Sequence, residues 1–249
     1  MRISRLVITL VLLAFSSLGV EALGAAADTA APAEKAPDTM QARVLGCAAC
    51  HGGHGEGTGN DYYPRLAGKP AGYLYNQLLA FRDGRRKYPP MNYLLAYLPD
   101  PYLLDIARYF AAERPPFPAP APVRVDAATL ALGKSLVGNG DISRKIPACA
   151  ACHGAALTGM EPAIPGLLGL HPDYLSAQLG AWRYGTRKTV APDCMHDIAA
   201  RLADRDITAI AAYLASLPAP ENPVPVAAGS LKMPLACSSE AQADNSNTH

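Results

Sequence analysis

Apolar residues recur at helical spacing in two stretches of the chain, in the same order each time. Leu103, Ile106, Ala107 and Phe110 form one set and Ile207, Ile210, Ala211 and Leu214 the other. Both follow i, i+3, i+4, i+7, the stripe that an amphipathic helix turns toward a core. Asp100 and Pro101 supply a predicted N-cap and first-turn proline for the first helix, and Pro115-Pro116 ends it; Asp204 and Pro218 frame the second. No period-two alternation of useful length occurs, so the pattern predicts an all-α fold.

One run of a different kind opens the chain. Arg2 and Arg5 precede an apolar run from Leu6 to Phe15, which fades through Val20 before the small residues Gly24 to Ala27. That order is the order of a secretory signal peptide, predicted over residues 1–27. A membrane span needs about 20 apolar residues, and Glu21 interrupts first, so an uncleaved anchor is the weaker alternative. The mature chain is therefore expected to be soluble in an oxidising, extracytoplasmic compartment.

The two helical stripes belong to a longer repeat. With Cys47 laid on Cys149, Leu66-Ala67-Gly68 meets Leu167-Leu168-Gly169, Tyr73 meets Tyr174, and Gln77-Leu78 meets Gln178-Leu179. Phe81-Arg82 then meets Trp182-Arg183, Gly84 meets Gly185, and Arg86-Lys87 meets Arg187-Lys188. After three extra residues in the second copy the register resumes, with Met91 on Met195 and Leu98 on Leu202. Two copies make a tandem duplication, not a solenoid. The predicted organisation is one domain over 28–113, a stiff linker over 114–125 carrying five prolines between Arg114 and Val123, and a second domain over 126–218. A Pro-rich and polar tail follows over 219–249, its end from Ser239 to His249 expected to be largely disordered. Each copy reads as helix, cysteine motif, long loop, helix, loop with a methionine, helix.

Composition narrows the class. Half of the 249 residues are hydrophobic and 17% are charged, with 21 Gly and 23 Pro, which describes a loop-rich globular protein. The formal charge is +1 and no basic stripe interleaved with aromatics appears, so nucleic-acid binding has no electrostatic footing.

The chemistry sits in two identical pentapeptides, Cys47-Ala48-Ala49-Cys50-His51 and Cys149-Ala150-Ala151-Cys152-His153. By chance one C-x-x-C-H is expected on the order of 0.003 times in such a chain. Two cysteines three apart on a helical turn present both sulfurs to one side, where they can form thioethers with the two vinyl groups of a haem. The adjacent histidine then offers its imidazole to the iron. A zinc site or a thioredoxin-like pair would not explain a histidine after both motifs in an exported chain. Two covalent haems c are expected, on Cys47, Cys50, Cys149 and Cys152, with His51 and His153 as iron ligands.

From about Met40 to Leu217 the chain resembles dihaem cytochromes c of the cytochrome c4 type. Each copy has C-x-x-C-H, a downstream Leu-x-Gly, a Tyr-x-x-x-Gln helix, a Phe/Trp-Arg-x-Gly-x-Arg segment and a methionine ahead of the final helix. The resemblance implies two tandem cytochrome c domains, each a few helices wrapped around one haem, with each iron held by His and Met. It also implies electron transfer between respiratory partners in the bacterial periplasm. The Pro-rich tail, Cys194 and Cys237 depart from the family pattern.

The second axial donor is read from the repeat. A lone methionine is more often core filler. Met91 and Met195, however, share one phase, seven residues before Leu98 and Leu202, and a soft thioether suits haem iron. His54, His171, His196, Met160 and Met233 are the weaker candidates. Cys194 competes with Met195, because a thiolate on iron would point to catalysis. The favoured alternative pairs Cys194 with Cys237, since leftover cysteines in an oxidising compartment usually join. Arg82, Arg85, Arg86, Lys87, Arg183, Arg187 and Lys188 are either solvated helix ends or partners of haem propionates.

The leading functional reading is an electron carrier serving a redox donor and acceptor, among them a membrane-bound oxidase or reductase or a dehydrogenase, with no small-molecule substrate. The alternatives are the cytochrome subunit of a periplasmic dehydrogenase, or a thiosulfate-oxidising dihaem enzyme with Cys194 on iron.

Overall fold

The computed structural model describes residues 38–59 and 62–241. The predicted signal peptide, the start of the first predicted domain and the last eight residues lie outside them. The described chain is mostly helical, with two short strands, and the helices recur in two copies, in agreement with the all-α expectation.

In the first copy a short turn, α1 (Met40–Arg43), runs into α2 (Leu45–His51), which carries the first cysteine motif. After a loop come α3 (Ala71–Arg82), α4 (Pro89–Leu95) and α5 (Asp100–Ala112). The second copy repeats the order with α6 (Ala127–Gly138), α7 (Cys149–His153), α8 (Pro172–Arg183), α9 (Cys194–Ala199) and α10 (Asp204–Ala215). A last turn, α11 (Ser238–Ala241), closes the described residues. Between α7 and α8 the chain makes a two-stranded hairpin, β1 (Gly159–Met160) against β2 (Ile164–Pro165). Two residues per strand leave too little alternation to read, and no strand had been expected.

The two apolar stripes face inward as their spacing demands. Leu103, Ile106, Ala107 and Phe110 are all buried, as are Ile207, Ile210, Ala211 and Leu214. Both helices start one residue earlier than the capping pattern predicted. Asp100 and Asp204 are the first helical residues, after Pro99 and Ala203. Their carboxylates accept from Arg82 (2.5 Å) and from Arg183 instead of capping. The reach-back to α10 comes from Asp206, which accepts from the Ala203 N–H at 2.8 Å. In the second copy α6 crosses α10 so closely that a Cβ on Gly133 would lie 2.1 Å from the Ala209 carbonyl oxygen.

The linker is extended and held at several points. Arg65 donates to the carbonyls of Pro115 (2.6 Å) and Pro116 (2.8 Å) and lies over the Phe117 ring, while Ala121 N–H donates to Ala215 O. Beyond Ser216 the Pro-rich segment returns across the second domain as a strap. Val226 exchanges backbone hydrogen bonds with Gly159 and Glu161, Ser238 N–H donates to Pro192 O, and a disulfide joins Cys237 to Cys194.

Candidate functional site

Each cysteine motif is a short helix ended by a glycine. Gly52 (φ 86°, ψ 156°) and Gly154 (φ 83°, ψ 153°) follow the two histidines in a backbone conformation closed to side chains. The chain thereby turns away from the ring that the histidine presents. Pro64 and Pro165 hold the same place in the repeat, and their carbonyls accept from His51 Nδ1 (2.9 Å) and His153 Nδ1 (2.7 Å). A carbonyl can only accept, so Nδ1 carries the proton and Nε2 is left as a lone-pair donor. Burial pushes both imidazoles below their ordinary pKa, which keeps that lone pair free. Burial likewise pushes the Cys47 thiol up, and the Cys149 thiol up to about 11.

A cavity opens beside each of these motifs. The first is lined by Cys47, Cys50, His51 and Met91, the second by Cys149, Cys152, His153 and Met195. Met91 and Met195 stand in the first turns of α4 and α9, so the segments read as ligand loops are short helices. Cys194 lines the second cavity, but its sulfur is bonded to Cys237. Met233, with no counterpart in the first copy, also lines the second cavity because the strap carries it there. Its one sequence signal is its position four residues before Cys237. Among the other weak candidates, His54 is exposed and bonds Glu113 at 2.9 Å, Met160 is buried in the hairpin, and His196 Nδ1 faces the Trp182 carbonyl.

Between the cavities lies a seam with approximate twofold character. Arg86 and Arg187 pair as an antiparallel bridge, flanked by Lys188 N–H to Arg85 O (2.8 Å) and Lys87 N–H to Thr186 O (3.3 Å). Arg86 donates to Gln77 of its own copy and to Gln178 and Tyr174 of the other. Arg187 mirrors it, donating to Gln178 and to Gln77 and Tyr73. The basic residues therefore divide. Arg82 and Arg183 pair with aspartates at the surface, Lys87 and Lys188 are exposed, and Arg86 and Arg187 are buried.

A third cation, Lys69, is buried at the seam and donates to Gly166 O at 2.8 Å. Burial pulls its pKa down to about 8. The Tyr73 phenol, which burial alone would raise, is lowered by the three cations around it, Arg187 foremost.

Among the described residues, Lys69, Arg86 and Arg187 form no ion pair with a carboxylate. Burying three cations without counter-charge is unfavourable, so the seam calls for anions from elsewhere. Buried polar atoms on the cavity walls say the same: Arg65 Nε on the first, Trp182 Nε1 and Arg187 Nε on the second have no hydrogen-bond partner. A haem fits both requirements, with an apolar macrocycle for the cavity and propionate carboxylates for the cations.

Comparison with known proteins agrees with that chemistry. The cytochrome c family model matches residues 34–98 and 130–218. A "Thiosulfate dehydrogenase electron acceptor" of Stutzerimonas stutzeri is 39% identical, covering 70% of this chain and 80% of the relative. A cytochrome c4 of Pseudomonas aeruginosa is 36% identical over 81% of this chain and 94% of its own length. The crystal structure of reduced cytochrome c4 from Pseudomonas stutzeri superposes with a TM-score of 0.62 at 32% identity, covering 71% of this chain and 96% of that one.

Proposed function

The chain belongs to the cytochrome c family as a dihaem member of the cytochrome c4 type, and on that premise we propose that it accepts electrons from a thiosulfate-oxidising dehydrogenase in the periplasm. It is an electron carrier with covalently bound haem c on Cys47 and Cys50 and on Cys149 and Cys152. When bound, each haem supplies a one-electron ferric/ferrous couple.

The polypeptide holds and tunes that couple. His51 and His153, fixed in one tautomer by Pro64 and Pro165, present Nε2 on one side of each cavity. Met91 and Met195 offer thioethers as the second donors, and a thioether favours the reduced state. Arg86, Arg187 and Lys69 offset the propionate charge at the seam, and Gln77 and Gln178 hold both guanidiniums across it. The disulfide takes Cys194 away from iron, which leaves the second haem with a carrier's donor set and not a thiolate's.

One observation carries the choice of donor: the similarity to a relative named for accepting electrons from thiosulfate dehydrogenase. The periplasmic assignment rests on the signal-peptide pattern of residues 1–27, and among the described residues no helix is long and apolar enough to cross a membrane. The test mixes the ferric holoprotein with purified thiosulfate dehydrogenase and thiosulfate. Complete reduction of both haems, read from the visible α band and absent without the dehydrogenase, is expected. Failure to reduce either haem in that mixture, with ascorbate reducing both, contradicts the donor assignment.

A further inference from the structure

The loop that holds each histidine is met by a buried cation, but both cations come from the first domain. In the first copy it is Arg65, the residue after the Pro64 carbonyl that fixes His51. Its terminal nitrogens grip the linker carbonyls of Pro115 and Pro116, while Nε, on the wall of the first cavity, has no partner among the described residues. The repeat puts Gly166 at the place of Arg65. The hairpin of the second domain excludes anything larger: a Cβ on Gly166 would lie 2.7 Å from the Thr158 carbonyl oxygen.

Lys69 of the first domain fills that place from across the seam. Its Nζ donates over 2.8 Å to the carbonyl of Gly166, the residue after the Pro165 carbonyl that fixes His153. The side chain lines both cavities, is buried, and has no carboxylate partner among the described residues. Its charge is felt at the second histidine. Burial above all, and the Lys69 ammonium after it, hold the His153 imidazole below its ordinary pKa. The second copy returns nothing, because buried Leu170 stands at the place of Lys69 there. An ammonium spends one proton on Gly166 and keeps two donors, and a buried charge with free donors calls for an anionic acceptor.

We propose that Lys69 works in trans as the charge partner of the second haem, supplied by the first domain because the second cannot carry a cation at Gly166. Arg86 and Arg187 serve both copies alike, each bonded to Gln77 and Gln178. Lys69 and Arg65 are the buried cations that differ between the copies. A positive charge beside a redox centre, or on its propionate, favours the reduced and less positive state. Lys69 therefore raises the potential of the second haem and not equally that of the first. The two domains are not interchangeable, and the second is electrostatically complete only with the first against it. The proposal rests on the reading of the chain as a dihaem electron carrier, not on the identity of the donor.

Potentiometric titration of the holoprotein, followed through the NMR signals of the haems, tests this. Trp182, the chain's one tryptophan, lines the second cavity, so haem signals in contact with its indole report the second haem. Lys69→Gln keeps a donor for Gly166 and removes the charge; Lys69→Met removes both. A unit charge about 10 Å from a redox centre, at an effective dielectric of about 20, is worth on the order of tenfold in an equilibrium constant. Each variant should therefore move the second haem about tenfold toward its oxidised form at fixed potential, about 59 mV for one electron. The first haem should move by less than about threefold, and Lys69→Arg should hold the second haem within about threefold of wild type. A second haem unchanged in Lys69→Gln and Lys69→Met, or equal shifts of both haems, overturns the proposal. A wild-type titration without two one-electron steps would instead overturn the dihaem carrier reading beneath it.

Discussion

The first and second domains present the same pentapeptide, the same proline carbonyl behind the histidine and a methionine at the same phase, yet they are stabilised differently. Thr39 caps the turn before the first motif, accepting from Ala42 N–H at 3.2 Å, whereas the equivalent Asp141 accepts from Arg144, which reaches on to buried Asp206. Among the described residues the second domain adds a hairpin and a disulfide-pinned strap, while the first keeps Leu45, Tyr93 and Tyr97 exposed. Duplication preserved what holds the cofactor, and the copies diverged in what surrounds it. Each difference can be removed separately.

The largest effect is expected from the strap. Cys194 and Cys237 close a loop with a sequence separation of 43, and on the chain-entropy model such a crosslink stabilises by about 4 kcal/mol. Cys194→Ser/Cys237→Ser should lower the thermal midpoint of the second domain by that equivalent and leave the visible spectrum of both haems unchanged. A spectral change in the second haem would show that the disulfide also positions its ligand. The first domain's midpoint should stay in place; if both midpoints fall together, the seam couples the domains more tightly than their separate cores imply.

A smaller effect follows from Gly133→Ala. The added Cβ would overlap the Ala209 carbonyl, and overpacking of this kind costs about 1–3 kcal/mol. Differential calorimetry should again place the loss in the second domain. An unchanged midpoint would mean that α6 and α10 cross less closely than described.

The smallest effect is a pH dependence. Hydrogen bonds from Ser143 and Arg144 hold the Asp141 carboxyl down to about 2. A depressed carboxyl contributes stability above its unfolded pKa and loses it as pH falls through the folded one, so this contribution is complete above about pH 4 and fades toward pH 2. Asp141→Asn should flatten acid unfolding of the second domain in that window. Thr39→Val in the first domain removes an uncharged cap and should shift its curve without changing its shape.

How much of this was legible in the sequence follows the same division. Features present twice could be read, because the repeat checked each copy against the other: the cysteine motifs, the buried faces of α5 and α10, and the phase of Met91 and Met195. Single-copy features could not. Lys69 stands opposite Leu170 and Arg65 opposite Gly166, so neither burial at the seam nor the grip on the linker had a pattern behind it. Arg86 and Arg187 share a register but meet only because the two copies fold against each other, and that long-range pairing leaves no local periodicity. Met233 reaches the second cavity only through the strap. The helix starts at Asp100 and Asp204 were misplaced by one residue because Arg82 and Arg183 claim those carboxylates.

The central claim is that both irons sit between a histidine and a methionine given by the repeat. The ferric protein's methionine-to-iron charge-transfer band tests it most directly, measured on Met91→Ala, Met195→Ala and Met233→Ala. Loss of about half the band in each of the first two variants, with no loss in the third, is the result expected from the shared phase of Met91 and Met195. A band untouched by Met195→Ala and halved by Met233→Ala would contradict it and make the strap, not the repeat, the source of the second haem's ligand.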